Sequence, residues 1–137
     1  MPLYLCNARP GAVSDTAKAQ IAGDITRIHC EATGAPPAFV HVFFFEDGLA
    51  PDIGDGTIAL YGNIRRGRTD AQKDQIKADM CQAVHQRTNV PLDGIGMSLQ
   101  DVPASWVMEG GDIMPEPGEE AAWLVAHEAK VAAAKSA

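Results

Sequence analysis

Apolar residues recur along the chain at helical spacing in two places, and this pattern predicts two helices between short strands. The first helix should begin after the N-cap Ser14 and end at Thr33-Gly34. His29 follows Ile25 by four residues and therefore projects from the same inward-facing side. The second helix should begin after Thr69. The residues that the two helices should bury are Ala17, Ile21, Ile25 and Ile28 in the first, and Ile76, Met80, Ala83 and Val84 in the second.

Runs of β-branched, aromatic and aliphatic residues predict four main strands, at 2–6, 38–46, 57–64 and 95–100. The second run is apolar at almost every position, which favours a central strand buried on both faces. A loop rich in Gly, Asp and Pro follows it at 47–56. Beyond the fourth strand, the pattern predicts one helical turn at 103–107, a short strand at 112–114 and an Ala-rich helical tail at 119–137.

The two helical patterns are related by an internal repeat. Shifting the sequence by 55 residues aligns the first helix with the second without a gap, and the strands on either side align as well. The identical pairs are Asp15 and Asp70, Lys18 and Lys73, Gln20 and Gln75, Ile21 and Ile76, Asp24 and Asp79, Thr33 and Thr88, and Pro36 and Pro91. The repeat predicts an α/β fold in one domain, with tandem β-α-β units at about 2–46 and 57–101 and a C-terminal extension. The four-stranded sheet should carry both helices on one face, and an oligomer should bury the apolar face that remains.

Composition narrows the classes of partner. The chain has 137 residues and a net charge of −7, which argues against nucleic acid and anionic membrane surfaces. No apolar run approaches the length of a membrane-spanning helix, and no signal peptide precedes the first strand. The cysteines Cys6, Cys30 and Cys81 are widely spaced, which favours reduced thiols in the cytoplasm over a metal or redox motif. We therefore expect no metal and no cofactor.

A proline, Pro2, stands directly behind the initiator methionine. Methionine aminopeptidase removes Met1 when the next residue is small, so the mature chain would begin with a secondary amine at the end of a strand. Burial and nearby cations would lower the pKa of that amine, and it could then transfer protons near neutral pH. Proline is also tolerated at the first position of a strand for structural reasons alone. For the residue by itself, the structural interpretation is the better one, and only other features of the chain can favour catalysis.

Three arginines, Arg65, Arg66 and Arg68, stand within four residues of an otherwise acidic chain, just before the second helix. A helix N-terminus already favours anions, so Arg65 and Arg68 could bind a carboxylate by forked contacts, with Arg66 between them facing solvent or a neighbouring subunit. The alternative is a solvated turn. His29 on an apolar face is typical of a core histidine, and Glu109 beside two glycines is typical of a turn carboxylate.

Four stretches together resemble a known family. They are MPLYL at the start, DITRIHCEATG in the first helix, YGNIRRGRT after the third strand and VPASWVMEGGDIMPEPG near the end. In this order they resemble the tautomerase superfamily, and within it the cis-3-chloroacrylic acid dehalogenase-like group. The resemblance reaches to about Trp123 and implies the tautomerase fold and a homotrimer.

The resemblance also implies roles for individual residues. Pro2 matches the catalytic amino-terminal proline of the family, and Glu109 matches the glutamate that activates water. Arg65 and Arg68 match two carboxylate-binding arginines, and His29 matches a histidine that helps to hold the substrate carboxylate. The tyrosine that partners the glutamate in the dehalogenases corresponds to Ser98 here, and the loop at 47–56 is shorter than theirs.

These roles predict an enzyme that acts on small carboxylates. The first expectation is proline-dependent keto–enol tautomerisation of unsaturated 2-oxo or 2-hydroxy carboxylic acids, with phenylpyruvate-like enols as test substrates. The alternative is hydration or hydrolytic dehalogenation of 3-substituted acrylic or propiolic acids, in which a protonated Pro2 would act as the acid. A third possibility is a binding protein without catalysis on the same scaffold, which a blocked amino terminus would favour.

Overall fold

Both predicted helices are present, and their ends are set by local capping contacts. Helix α1 spans Asp15–Thr33 and helix α2 spans Asp70–Thr88, so α2 begins and ends 55 residues after α1. The Ser14 hydroxyl accepts a hydrogen bond from the N–H of Ala17 at 3.1 Å. Thr69 begins α2 in the same way and forms a reciprocal capping box with Gln72. Each helix ends at a left-handed residue, Gly34 and Asn89 respectively.

The computed structural model describes residues 2–46 and 55–136, which are divided between two units. One unit comprises residues 1–64 and 68–100, and the other comprises residues 65–67 and 101–137. The main strands form one sheet in the order β2-β1-β3-β4. Their bounds are β1 Leu3–Ala8, β2 His41–Phe45, β3 Ile58–Arg65 and β4 Ile95–Val102. Strand β1 pairs in parallel with β2, as a β-α-β unit requires, and antiparallel with β3.

The first unit has one aliphatic core between its helices and one face of the sheet. Alternate residues of β3 are buried, among them Ile58, Leu60 and Ile64. Tyr4 and Cys6 of β1 are buried in the same core. All eight helix residues that the sequence pattern selects are buried in this core, and so is His29. The prediction that both helices cover the same face of the sheet is therefore confirmed.

The prediction of a central second strand is wrong. Strand β2 lies at an edge of the sheet and pairs with β1, while Pro37–Phe39 forms a turn of 3-10 helix before it. Val42 and Phe44 pack against the core, but Phe43 on the opposite side is 52% exposed. The apolar run is therefore long because both sides of an edge strand carry apolar residues, of which only one side is covered by the helices of the same chain.

The second unit consists of a small hairpin and a C-terminal helix. Strand β5 (Met108–Glu109) pairs antiparallel with β6 (Asp112–Ile113) across two glycines in the left-handed region. Helix α3 spans Glu120–Lys135, and its Trp123 indole N–H donates to the carbonyl of Ile113 at 2.7 Å. The predicted helical turn, short strand and helical tail are all confirmed, whereas the sequence pattern did not predict β5.

Three further observations bear on the sequence-based expectations. Of the loop predicted at 47–56, residues 47–54 lie outside the described residues. Within the described part of the chain, no helix has the length and apolar character needed to cross a membrane. Cys6, Cys30 and Cys81 are all free thiols.

Candidate functional site

Pro2 lies at the entrance to β1, on the helix-covered side of the sheet. Its carbonyl accepts a hydrogen bond from the N–H of His41 at 3.0 Å, which fixes the start of the strand beside β2. Residues two apart in a strand face the same side, so Pro2 shares its side with the buried Tyr4. Pro2 is itself buried.

Tyr4 is joined to the predicted site residue His29 by a short hydrogen bond. The Tyr4 hydroxyl oxygen lies 2.6 Å from His29 Nδ1, and the two rings meet edge to face with centroids 5.7 Å apart. Tyr4 is 0% exposed and His29 is 1% exposed. Sequence reasoning did not identify Tyr4. The signal that could have found it is its position two residues after Pro2, on the side of β1 that faces the first helix.

A glycine of β3 makes room for the Tyr4 ring. A Cβ atom on Gly62 would lie 2.7 Å from Tyr4 Cε1 and 2.5 Å from Leu99 Cδ2, which is closer than carbon atoms approach in proteins. Any larger residue at position 62 would therefore displace Tyr4 or Leu99. Gly62 belongs to YGNIRRGRT, one of the stretches on which the family resemblance rests.

Arg68 brings a positive charge to the same end of the first unit. It precedes the N-cap Thr69 and follows Gly67, whose φ of 109° allows the chain to turn there. Burial, together with the smaller effect of the charge of Arg68, lowers the pKa of His29 to about 4. Burial raises the pKa of the Tyr4 hydroxyl, with Arg68 opposing that shift. At neutral pH, His29 is therefore an uncharged ring beside a protonated hydroxyl.

The lowered pKa of His29 predicts that the protein loses stability in mild acid. The pKa falls from 6.5 to about 4 on folding, so between these values the unfolded chain binds a proton that the folded chain does not. The free energy of unfolding should be at its full value above about pH 6.5 and should fall by about 3 kcal/mol as the pH approaches 4. Urea unfolding across this range measures the loss. The variant His29→Gln has no titrating ring and serves as the control, and an identical pH dependence in the two proteins would contradict the prediction.

Ser98 lies on the other side of the sheet. It is exposed on β4, and its neighbours Met97 and Leu99 pack against the core. Because side chains alternate along a strand, Ser98 faces away from the side that holds Tyr4 and His29. Within one chain, the structure does not bring Ser98 together with that pair.

Arg65 belongs to the second unit and already binds a carboxylate of the chain. Its Nη2 donates to Glu120 Oε1 at 2.9 Å, and its Nη1 donates to the carbonyl of Pro115 at 3.2 Å. The backbone N–H groups of Glu120 and Gly118, together with Arg65, hold the pKa of the Glu120 carboxyl below its usual range, against the opposing effect of burial. Arg65 is 21% exposed in this arrangement. Its guanidinium therefore pairs with a carboxylate at the start of α3.

The other basic and acidic candidates of the second unit differ in exposure. Arg66 is 61% exposed and lies 3.7 Å from a carboxylate oxygen of Glu116, as expected for an arginine that faces solvent. Glu109 ends β5 and is half-buried before the tight turn at Gly110 and Gly111.

No group of three metal-ligating side chains occurs among residues 2–46 and 55–136. The first unit thus brings together Pro2, His29 and Arg68, and adds Tyr4, while Arg65 and Glu109 belong to the second unit.

Comparison with known proteins gives matches among solved structures. No family model matches the chain, and no curated protein matches it. The structure of N1, a member of the cis-3-chloroacrylic acid dehalogenase family, is 26% identical, with 90% of each chain covered and a TM-score of 0.79. The structure of native Ps01740 is 33% identical over 78% of this chain and 99% of that chain, with a TM-score of 0.69. A symmetric trimer of wild-type fused 4-OT is 20% identical over 82% of this chain and 94% of that chain, with a TM-score of 0.71.

The described fold agrees with these matches. The tandem β-α-β units, the four-stranded sheet and the two helices on one face are the features that the internal repeat predicted, and the resemblance implied the tautomerase fold. The similarity to N1 extends over nearly the whole length of both chains. The chain therefore belongs to the tautomerase superfamily and is a cis-3-chloroacrylic acid dehalogenase-like member of it.

Proposed function

We propose that this chain is a tautomerase that uses the amine of Pro2 to interconvert the enol and keto forms of small unsaturated 2-oxo and 2-hydroxy carboxylic acids. One observation carries the proposal. Pro2 begins the strand on which the buried Tyr4 is bonded to His29, at the same end of the unit as the positive charge of Arg68. An amine, a hydrogen-bonding imidazole and an arginine are the groups needed to move a proton on a carboxylic acid and to hold its carboxylate.

The proposed reaction transfers one proton and releases no leaving group. The uncharged amine of Pro2 accepts the proton of the 2-hydroxyl group, and the electron pair of that O–H bond forms the carbonyl. The C–C double bond opens toward C3, which takes the proton back from the ammonium. A buried amine near a second cation holds its proton less tightly, so the burial of Pro2 at the same end of the unit as Arg68 would favour the free base at neutral pH.

The substrate carboxylate is assigned to the arginines and to His29. Arg68 supplies charge-assisted hydrogen bonds, and the uncharged ring of His29 supplies a neutral donor. Arg65 already binds the carboxylate of Glu120, which supports its assignment as a carboxylate-binding group. Glu109 is assigned a role in polarising water on the basis of the family resemblance.

The direct test is an assay with the enol of phenylpyruvate, followed by the loss of its ultraviolet absorbance. Intact mass of the purified protein is measured on the same sample, because Pro2 is an amine only if Met1 has been removed. Accelerated ketonisation by protein that lacks Met1 supports the proposal. Protein that lacks Met1 and has no effect on several enol acids would overturn it and would favour a binding protein without catalysis.

A second candidate function is hydration or hydrolytic dehalogenation of 3-substituted acrylic or propiolic acids. The similarity to N1, a member of the cis-3-chloroacrylic acid dehalogenase family, favours it. In this reaction Glu109 would polarise the attacking water, and protonated Pro2 would deliver a proton to the α-carbon. Ser98 stands where the family resemblance expects a tyrosine, and its hydroxyl is carried on a much shorter side chain.

The serine predicts weak or absent release of chloride from cis-3-chloroacrylate. The variant Ser98→Tyr should release chloride faster, because it restores a phenol hydroxyl at the position where the family has one. Chloride is measured at matched protein concentration for both proteins, and Ser105→Tyr serves as a control for adding a tyrosine elsewhere on the surface. Rapid chloride release by the wild-type protein would contradict this prediction.

We further propose a homotrimer that works in the cytoplasm. Phe43 is 52% exposed on the side of the sheet that the helices leave open, where Leu3 and Leu5 lie next to it. A fused 4-OT of the same fold is a symmetric trimer. The free thiols of Cys6, Cys30 and Cys81 suit a reducing compartment.

Light scattering at micromolar concentration is expected to give the mass of a trimer. The variant Phe43→Glu places a charge on the open side of the sheet and should shift the protein toward the monomer. Gln86→Glu adds a charge at an exposed position of α2, away from the open side of the sheet, and is the matched control. A wild-type protein that stays monomeric would contradict the proposed assembly.

A further inference from the structure

We infer that Tyr4 is a positioning residue for His29: its hydroxyl donates to Nδ1 and thereby holds the ring as the tautomer that presents Nε2–H to the substrate carboxylate. This inference rests on the function proposed above. It adds a residue that sequence reasoning did not select, and it specifies which nitrogen of His29 faces the substrate.

The direction of the hydrogen bond follows from the burial of both groups. Tyr4 is completely buried, so its hydroxyl hydrogen needs an acceptor within the protein. Among residues 2–46 and 55–136, His29 Nδ1 is the partner of that hydroxyl, at 2.6 Å. If Nδ1 carried a hydrogen, the tyrosine oxygen would accept it and the buried hydroxyl hydrogen would be left without an acceptor. The satisfied arrangement has Tyr4 as the donor and Nδ1 as the acceptor.

The tautomer follows from this direction. An uncharged imidazole has one N–H, so an accepting Nδ1 leaves the hydrogen on Nε2. The ring stays uncharged at neutral pH because burial, assisted by Arg68, disfavours the imidazolium. Nε2–H is therefore a fixed, neutral donor.

The packing around Tyr4 gives this contact a defined geometry. Gly62 and Leu99 enclose the Tyr4 ring on the sheet, and any Cβ at position 62 would collide with it. His29 is held on the buried side of α1 by its neighbours Ile25 and Ile28. Replacing Tyr4 with phenylalanine would therefore remove the hydroxyl that selects the tautomer while both aromatic rings stay in place.

Nitrogen-15 NMR of uniformly labelled wild-type protein tests the tautomer directly, without substrate and without activity. The expected result is an Nδ1 shift typical of an unprotonated, hydrogen-bonded nitrogen and an Nε2 shift typical of N–H. In Tyr4→Phe, the Nδ1 resonance should move away from its hydrogen-bonded position. A wild-type ring with the hydrogen on Nδ1 would overturn the inference. Because this measurement needs no turnover, it stays decisive even if the tautomerase assay fails.

Kinetics on an enol acid tests whether Tyr4 acts through His29. We expect Tyr4→Phe to lower kcat/KM by about tenfold, mainly through KM, because carboxylate binding is affected more than proton transfer. His29→Gln should lower kcat/KM by at least as much, and the double variant should be little worse than His29→Gln alone. Additive losses in the double variant would show that Tyr4 acts independently of His29 and would overturn the inference.

The other tyrosine of the chain provides a matched control. Tyr61 lies on β3 opposite Leu5 of β1, on the side of the sheet away from His29. Tyr61→Phe removes the same hydroxyl group and should leave the His29 resonances and kcat/KM unchanged. If Tyr61→Phe shifted the His29 nitrogens as much as Tyr4→Phe does, the effect would be general to the fold, and the specific role of Tyr4 would be refuted.

Discussion

Replacing Pro2 with alanine is expected to lower kcat/KM on enol acids by about a hundredfold, the lower end of the contribution of a general base, because the remaining amine is no longer held in position by a ring. Alanine is also small, so methionine aminopeptidase should remove Met1 from both proteins, and each should then begin with an amine. The variant has a primary amine without the ring that holds the proline nitrogen at the end of β1. The primary amine of alanine can therefore rotate, whereas the proline ring fixes its nitrogen. A primary amine also differs in basicity from the secondary amine of proline. Steady-state kinetics and intact mass, measured on the same preparations, give the comparison.

The control for this experiment is the stability of the fold. Pro2 makes one backbone contact to β2, through its carbonyl, and alanine retains that carbonyl. Alanine removes only two carbon atoms of the buried ring, so the melting temperature of Pro2→Ala should fall by no more than a few degrees. Full activity in a correctly processed Pro2→Ala variant would remove the proline from the mechanism. A large fall in melting temperature would instead assign the loss of activity to the fold.

The helices could be predicted from the sequence because local signals determine them. Ser14 and Thr69 each cap a helix through contacts within three residues, and the buried stripe follows the helical period. Strand β2 shows the limit of this approach, because the residues at 41–45 are apolar on both sides whether the strand lies at the edge or at the centre. The order of strands in a sheet depends on pairing between distant segments, and the composition of a single strand does not indicate that order.

The candidate site shows the same division between local and distant information. His29 was placed on the inward side of α1 by its spacing from Ile25, and the structure confirms its burial. Its bond to Tyr4 joins residues 25 positions apart, and the bond between Arg65 and Glu120 joins residues 55 positions apart. No periodic pattern indicates such pairs. They arise when the chain folds, so the partners of Arg65 and His29 could be found only in the structure.

The two arginines that we propose to bind the substrate carboxylate have different surroundings, and this affects how their variants must be interpreted. Arg68 belongs to the unit that contains His29, whose pKa it lowers. Arg65 also holds Glu120 at the start of α3, so its removal breaks an internal ion pair. Glu120 is about half exposed, and an ion pair of this kind contributes at most about 1 kcal/mol to stability. Glu120→Gln removes the same ion pair while keeping the arginine, and it separates the structural part of the effect from substrate binding.

Removing either Arg65 or Arg68 is expected to lower kcat/KM by about one to two orders of magnitude. Each arginine should contribute charge-assisted hydrogen bonds of roughly 1.5–3 kcal/mol to the substrate carboxylate, and about 1.4 kcal/mol corresponds to a factor of ten. Arg65→Lys and Arg68→Lys should recover only part of the loss, because lysine retains the charge but cannot form the forked contact. Steady-state kinetics on one enol acid at fixed salt measures all four variants.

Arg66 provides the matched control for charge. It is 61% exposed and next to Arg65 in the sequence, so Arg66→Ala removes the same charge from the same turn. Its effect on kcat/KM should be much smaller, since exposed charges are screened by water and salt. Glu120→Gln should likewise leave most of the activity, because Arg65 remains available to the substrate. Equal losses in the alanine variants of Arg65, Arg66 and Arg68 would mean that a diffuse positive charge attracts the acid, and that neither Arg65 nor Arg68 binds its carboxylate specifically.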